Sequence, residues 1–492
     1  MGGVRDGQGL PPLSRWVWAV VGAVGLALLL TSGRYGFFGD ELYFVAAGNR
    51  PSFGYADQPP LLPLLASALD WLGGGNLYLF RLPATLATMA GVLVCALTAR
   101  ELGAAGRGQL HAAGAYATAT IILGGGHLLA TSTLDPLVWA VLTWLLARWV
   151  RTRNDGCLLW FWLAVAVGLQ VKYLLLLLLV PLGIAVLVHR DTRAMLRRPL
   201  FWVGLLSALA SAVPGLLWQY ANGWPQLGMG SVIAGERDSL LGGPLLFVPV
   251  LAVMAGLVGA VLGAVGLWRL LRAPELAAYR FLGWTALGVL LLCLAVGGRS
   301  YYVSGLFALL FAAGGHRLGL RPARGRWLTA VGYGLAALLA LGNLPLEPAA
   351  AYRGNKLSAL DLVPVGQLGW PQHVAEVVRA YQALEPSVRA ETAVITDDYW
   401  SASAIDYYGP MPVYSPHRGF WHFGAPPERA RHALFLSRDG RRPPQAFHQV
   451  RQVGTLARAD GVFTFLTGTR LWFCTGRRDS WAVLWPRLHH LE

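Results

Sequence analysis

Apolar stretches about 18 residues long recur from Trp16 to about residue 345, with few charges inside them. Backbone N–H and C=O groups in a bilayer have no water to bond. A run of this kind therefore crosses as a helix, which satisfies those groups internally. Only 13% of the 492 residues are charged, where a soluble protein carries about 25%. The expected fold is mainly α, a polytopic membrane protein of about eleven transmembrane helices. The expected spans are 16–32, 82–99, 110–128, 135–150, 157–171, 173–189, 200–219, 244–267, 281–297, 302–316 and 327–344. No clear small-residue cleavage site follows the first run, which is read as an uncleaved span.

Arginine fixes the expected orientation. "HRDTRAMLRRP" holds Arg190, Arg193, Arg197 and Arg198, and "HRLGLRPARGRW" holds Arg317, Arg321, Arg324 and Arg326. Short loops rich in Lys and Arg stay in the cytoplasm. Alternation from these loops leaves only Arg34, Arg50, Arg81, Lys172, Arg237 and Arg299 in the outward loops, roughly a third of the cytoplasmic number. The N-terminus is then cytoplasmic, and residues beyond about 345 are extracytoplasmic. The net charge of +15 is scattered through these loops in no single stripe, so topology explains it and a nucleic-acid partner is not expected. The four cysteines form no CxxC, and neither a disulfide framework nor a zinc site is indicated.

The first outward loop has structure of its own. "ELYFVAA" suits a short interfacial helix. "LLPLLASALDWL" is too short to span and suits a second interfacial or re-entrant helix, with Pro59 and Pro60 in its first turn. The polar segment from 345 to 492 mixes periods. "HVAEVVRAYQAL" reads as a helix, and "TAVIT", "MPVYS", "HALFLS", "VFTFL" and "LWFCTG" read as strands. Two domains are expected: a transmembrane domain over 1–344 and a small extracytoplasmic α/β domain over 345–492.

The outward side gathers the chemically capable residues. Asp40, Glu41 and Asp57 lie in the first loop, Asp135 in "STLDP", Lys172 in "LQVKYLLLL", and Arg299 in "GGRSYY". Of 40 basic residues only Lys172 and Lys356 are lysine, and a charge between two apolar runs is costly enough to suggest function. Each also has an ordinary reading. Asp40 and Glu41 would suit a helix N-terminus, Asp57 and Asp135 would cap helices, and Lys172 would snorkel to headgroups. Trp224, Tyr301 and Tyr302, which with Asp135 are candidates for binding substrate, would suit an aromatic belt. His417 and His422 are too few to define a metal site. Gly73–Gly75 and Gly124–Gly126 lack the ending of a nucleotide-binding loop and read as turn and packing residues. Taken together, carboxylates that can accept a proton from a hydroxyl and cations that can hold a phosphate suit chemistry on a phosphorylated lipid.

These residues stand in familiar surroundings. The chain resembles the membrane glycosyltransferases of the C fold, and within them the bacterial members of glycosyltransferase family 39, related to protein mannosyltransferases and the lipid A aminoarabinose transferase. "GDELYF" is similar to the family's first-loop acidic pair. "GYADQPPLLPLLA" is similar to its acid-x-Pro-Pro-Leu segment, with Gln58 where His is commoner. "WQYANGWPQL" and "GRSYYVSGLFALLFAAGG" resemble its later outward loop and its basic-x-Tyr-Tyr segment. "VITDDYWSASAIDYYGPMPVYSPHRGFWHFG" resembles the ectodomain of actinobacterial members, with a short "GP" where a longer linker is common.

The resemblance implies an inverting transfer of a sugar, mannose or pentose-like, from a polyprenyl-phosphate donor to an unknown acceptor at the outer face of the cell membrane. It implies Asp40 as general base, supported by Glu41 or Asp57, with Lys172 and Arg299 as phosphate ligands. Membrane lipid is the expected surrounding partner. No cofactor is implied with certainty, and a divalent metal stays open. A transporter or flippase of lipid-linked sugars is the alternative class. It would place polar residues near the bilayer midplane and show two related halves, and neither is visible here. A scaffold protein would not need the acid pair together with Lys172 and Arg299. A ligase acting on a pyrophosphate carrier is a nearer relative of the main reading.

Overall fold

The computed structural model describes residues 10–241, 243–319, 323–354, 361–438 and 446–491, so Arg5, Arg321 and Lys356 lie outside the described residues. The fold is mainly helical with one small sheet. Its packing divides the chain into two compact units. One contains Met1–Ser32, Arg81–Pro214 and Ile233–Leu346. The other contains Gly33–Phe80, Gly215–Val232 and Glu347–Glu492, so the first loop packs within the same unit as the C-terminal segment.

Each expected span overlaps helical segments, most of them in the first unit. Four helices are long and apolar enough to cross a membrane: Arg15–Ser32, Leu77–Glu101, Pro199–Ala221 and Pro274–Ala295. Gly243–Ala255 and Leu257–Arg272 pass the same test together but are bent by 113°. Gly256, at φ 74°, makes this break, and a methyl group there would lie 2.7 Å from the Thr118 carbonyl. The expected span 244–267 is therefore two helices and not one. The expected span 110–128 is likewise interrupted, as Gly106–Ala117 and Thr120–Gly126. Apolar length gave no sign of either break, because the sequence stays largely apolar across it. Two glycines bring neighbouring helices into contact. A Cβ at Gly266 would sit 1.9 Å from the Leu310 carbonyl, and one at Gly314 would sit 2.2 Å from the Leu262 carbonyl. Such small-residue contacts allow close helix packing in an apolar medium, where water expulsion cannot drive association.

In the second unit, the first loop forms helices Gly39–Gly48 and Leu61–Gly73. Pro60 is the N-cap of the latter and Pro59 precedes it, one step earlier than the sequence suggests. The C-terminal part forms a five-stranded sheet in the order β2-β1-β3-β5-β4, where β1 is Thr392–Thr396, β2 Val413–Tyr414, β3 His432–Ser437, β4 Phe447–Thr455 and β5 Arg470–Arg477. β1 pairs in parallel with β2 and β3, and the β3–β5 and β4–β5 pairs are antiparallel. "VFTFL" is not a strand. It forms turns, with Val462 in isolated bridges only. β4 escaped the sequence reading because it is a mostly exposed edge strand with no apolar alternation. Helix Trp370–Gln382 packs by Trp370, Val374 and Val377. The Trp370 indole donates to the Phe37 carbonyl at 3.1 Å, and Gly39 N–H donates to the Gly366 carbonyl at 3.0 Å. The C-terminal segment thereby fixes the start of helix Gly39–Gly48, where the acidic pair lies.

Candidate active site

The second unit gathers the three candidate carboxylates around helix Gly39–Gly48. Asp40 and Glu41 occupy its first turn, where the helix dipole favours negative charge. Glu41 is fully buried and its Oε2 accepts the Phe38 N–H at 2.8 Å. It thus supplies the glutamate half of a capping box, holding the turn that presents Asp40. Asp40 Oδ1 accepts two donors, the Tyr399 hydroxyl at 2.8 Å and the Trp400 indole at 2.7 Å. No hydrogen bond from a described residue reaches Oδ2. The half-buried carboxylate is therefore oriented through one oxygen while the other can still take a proton.

The two donors are placed by local structure. Asp398 is the N-cap of helix Tyr399–Tyr408, accepting from the Ser401 N–H at 2.8 Å. The indole can approach because position 39 is glycine: a Cβ there would lie 2.2 Å from the Trp400 ring. Burial, and then the nearby Asp40 charge, push the Tyr399 phenol well above its ordinary pKa, so it remains a donor.

Asp57 is not a helix cap, since Leu61–Gly73 begins at Pro60. Its Oδ1 accepts the Tyr43 hydroxyl at 2.9 Å. Burial pushes its carboxyl up to about 6. The Tyr43 bond and the Arg418 charge oppose this, while the Asp40 charge adds to it. Arg418 opens the short 3₁₀ segment Arg418–Phe423, and its guanidinium lies 5.5 Å from the centre of the Tyr399 ring. Gly419 fits against the same pair: a methyl group there would lie 2.0 Å from the Tyr43 hydroxyl and 3.1 Å from Asp57 Oδ1.

His417 is a structural histidine. Its Nδ1 accepts the Tyr399 N–H at 3.2 Å, its ring stacks on His490, and burial holds its pKa down to about 2. Trp224 is 40% exposed, at φ 57°, and no described hydrogen bond or ring contact joins it to the carboxylates. Among the described residues no three His, Cys, Asp or Glu side chains are placed to hold a metal ion, and all four cysteines are free and buried.

The first unit brings other candidates together. Lys172 is extended, at φ −160°, and separates helix Gly156–Val171 from the turn Tyr173–Leu175. Its Nζ lies 4.7 Å from the centre of the Tyr302 ring and 5.4 Å from that of Tyr301. Those two rings meet edge to face in the segment Ser300–Leu306, which Arg299 opens. Asp135 lies inside helix Thr131–Thr152 and does not cap it. It accepts the Trp139 indole at 3.1 Å and interacts electrostatically with Lys172. Trp139 packs on Gly305, where a Cβ would meet its ring at 2.5 Å. Arg81 is fully buried in helix Leu77–Glu101 and not in a loop, bonded to the Ser32 carbonyl at 2.8 Å and facing His127 Nε2 at 3.0 Å.

Tyr43, Tyr399, Trp400 and Arg418 are the site residues that sequence reasoning missed. All four lie in the segments quoted for the family resemblance, but nothing in the residues themselves pairs positions 359 or 360 apart.

Residues 57–218 match the family described as dolichyl-phosphate-mannose-protein mannosyltransferase. No curated protein matches the chain. Among solved structures, the chain is similar to ArnT from Cupriavidus metallidurans. The form bound to undecaprenyl phosphate matches at 15% identity and TM-score 0.62, covering 93% of this chain and 98% of that one. The apo form matches at 13% identity and TM-score 0.62, covering 93% and 97%. The arabinofuranosyltransferase AftD from Mycobacteria matches at 16% identity and TM-score 0.50, covering 95% of this chain and 42% of that one. At these identities the likeness is one of fold. The chain has the architecture of the C-fold membrane glycosyltransferases, and the resemblance read from its motifs is borne out.

Proposed function

We propose that the protein is an inverting glycosyltransferase that moves a sugar, mannose or pentose-like, from a polyprenyl-phosphate donor to an acceptor hydroxyl at the outer face of the membrane. The observation that bears most weight is the Asp40 carboxylate, oriented by two donors on Oδ1 with Oδ2 left to accept a proton. The match over 57–218 to a family named for a polyprenyl-phosphate sugar donor, and the ArnT fold bound to undecaprenyl phosphate, support the donor class.

The acceptor oxygen attacks the anomeric carbon as the bond from that carbon to the phosphate oxygen breaks. The acceptor proton passes to Asp40, and polyprenyl phosphate leaves with one more negative charge. General-base assistance of this kind is worth typically 10²–10⁴ in rate. Lys172 and Arg299 serve as phosphate ligands, stabilising that charge as it develops. Lys172 suits the role because the tyrosine faces hold its ammonium through their ring electrons, and no described hydrogen bond or ion pair uses its N–H groups. Glu41 holds the turn that carries the base, and Asp57 supports it. Asp135, Tyr301 and Tyr302 shape the surroundings of Lys172, and Trp224 is an exposed aromatic for substrate or membrane. Among the described residues no group of three His, Cys, Asp or Glu side chains could hold a metal ion.

The expected location is the cell membrane, with the N-terminus inside and residues beyond about 345 outside. Cysteines introduced beside Asp57 should be labelled from outside and those beside Arg197 should not. The reverse pattern would overturn the assignment of roles. The reaction itself is tested by incubating the purified protein in lipid with candidate polyprenyl-phosphate sugars and an acceptor extract. Mass spectrometry should find glycosylated acceptor and released polyprenyl phosphate in equal amounts. Movement of intact donor across the bilayer without either product would favour a flippase.

A further inference from the structure

Asp57 is met from three elements. Tyr43 and Asp40 face it from helix Gly39–Gly48, Tyr399 interacts with it from helix Tyr399–Tyr408, and Arg418 supplies the positive charge from segment Arg418–Phe423. Three of these groups are carboxyl or phenol, and their charged forms would disfavour a charge on Asp57. The hydrogen bond that Tyr43 donates favours it, and Arg418 is the one cation of the group that does so.

Arg418 is also held in an uncommon way. Its φ is +48°, a conformation that non-glycine residues keep only when their surroundings impose it. Its N–H donates to the His490 carbonyl at 2.9 Å and its Nε to the Leu491 carbonyl at 3.0 Å. Its guanidinium lies over the Tyr399 ring, and the next residue, Gly419, closes on the Tyr43–Asp57 bond. The strained turn thus places a cation and a side-chain-free residue where both carboxylate networks meet.

We infer that Arg418 is a positioning residue of the acid cluster: anchored by the C-terminal His490–Leu491 backbone, it favours the charged form of Asp57. No motif in the first loop signals this role, which ties the chemistry of that loop to the last residues of the chain. Its link to turnover rests on the glycosyltransferase reading above, whereas its effect on Asp57 does not.

The test uses the full-length protein in lipid with Arg418→Gln, Arg418→Met and Arg418→Lys. Carbodiimide modifies protonated carboxyl groups, so the yield of Asp57 modification against pH, read by peptide mass spectrometry, reports its protonation without any turnover. The midpoint should rise by about one pH unit in the two neutral variants, the size expected from removing a nearby opposite charge, and should return in Arg418→Lys. An unchanged midpoint in whichever neutral variant folds overturns the inference. An unchanged midpoint with a raised KM would make Arg418 a substrate ligand instead, and also overturns it. The acid limb of turnover, measured on the same samples, should move with the labelling midpoint. If labelling shifts and the rate profile does not, the inference about Arg418 stands and Asp57 has no part in the reaction.

Discussion

The carboxylate group and the lysine group are built on opposite principles. Asp40 is fixed by hydrogen bonds from side chains 359 and 360 residues away; an Asp398 cap and a glycine at 39 place the donors, and a backbone bond from Gly39 to Gly366 fixes the helix start that carries the acid. Lys172 is placed by a local break between two apolar helical segments, and its ammonium faces two rings. A group that must receive a proton at a defined point benefits from rigid orientation. A group that must hold a charge arising during reaction benefits from keeping its N–H donors for that charge. The difference predicts that the two groups fail differently when altered.

The sharpest break comes at Asp40. Asp40→Asn keeps the size of the side chain, and its carbonyl oxygen can still accept from Tyr399 and Trp400. In the first helical turn the change also removes a dipole interaction worth only about 0.3–1 kcal/mol of stability, so the local helix predicts little change in turnover. The expected outcome is normal expression and donor binding with turnover reduced by at least about 10²-fold. Glu41→Gln and Asp57→Asn should lose less. Near-normal turnover in Asp40→Asn, with loss in one of the others, would move the base to that residue.

The lysine group should fail in donor use. Lys172→Met keeps most of the stem and removes the charge, and Arg299→Ala removes the second cation. Each should weaken donor use by about 1.5–3 kcal/mol, the worth of a hydrogen bond to a charged group. Steady-state kinetics with varied donor would show it, and normal donor kinetics in both variants would remove the phosphate-binding role.

The same contrast explains what could be read from the sequence. The helices of the first unit were legible because apolar length alone dictates them, and Lys172 was legible because a lone lysine between apolar runs is conspicuous. The carboxylates were visible as residues, but their ordering was not. Asp57 carried a helix-cap reading beside its functional one because proline follows it at 59, and only the structure shows its bond to Tyr43. Tyr399 and Trp400 sit in a segment with no chemical signature of its own, and they matter only because the fold returns them to Asp40. Arg81 passed for a loop residue because it borders an apolar run, while the structure buries it inside the helix. β4 lacked alternation because it is an exposed edge. Long-range partnership and edge position leave little local pattern to read.

A milder change should perturb the carboxylate group without touching a polar atom. In Gly39→Ala the new methyl group would lie 2.2 Å from the Trp400 ring, so the indole must withdraw from Asp40. Misplacement of a catalytic group by about 1 Å can cost up to 10²-fold, and loss of one of two orienting donors should cost roughly tenfold in turnover with donor KM unchanged. Gly22→Ala, with nothing within 4 Å of the added methyl, is the control. Equal activity in the two variants would mean that the Trp400 contact does not orient Asp40.

The smallest effect separates burial from chemistry at Asp57. Its carboxyl has an ordinary value of 3.8 and is raised to about 6 in the folded protein, chiefly by burial. Between about pH 4 and pH 6 the folded state therefore holds more protons than the unfolded state. The contribution of Asp57 to stability is fully present below this window and falls as pH rises through it. His417 acts with the opposite sign: it is held down to about 2 from an ordinary 6.5, so the stability tied to it is lost as pH falls below about 6.5. The His417 term is common to the parent protein and to Asp57→Asn, and it cancels in their difference. The melting temperature of the parent minus that of Asp57→Asn should decline by on the order of 1–3 °C from pH 4 to pH 6 and stay level above. A difference that does not vary with pH would show that Asp57 titrates as an exposed carboxylate does. Its part in the site would then have to be argued from the Tyr43 bond alone.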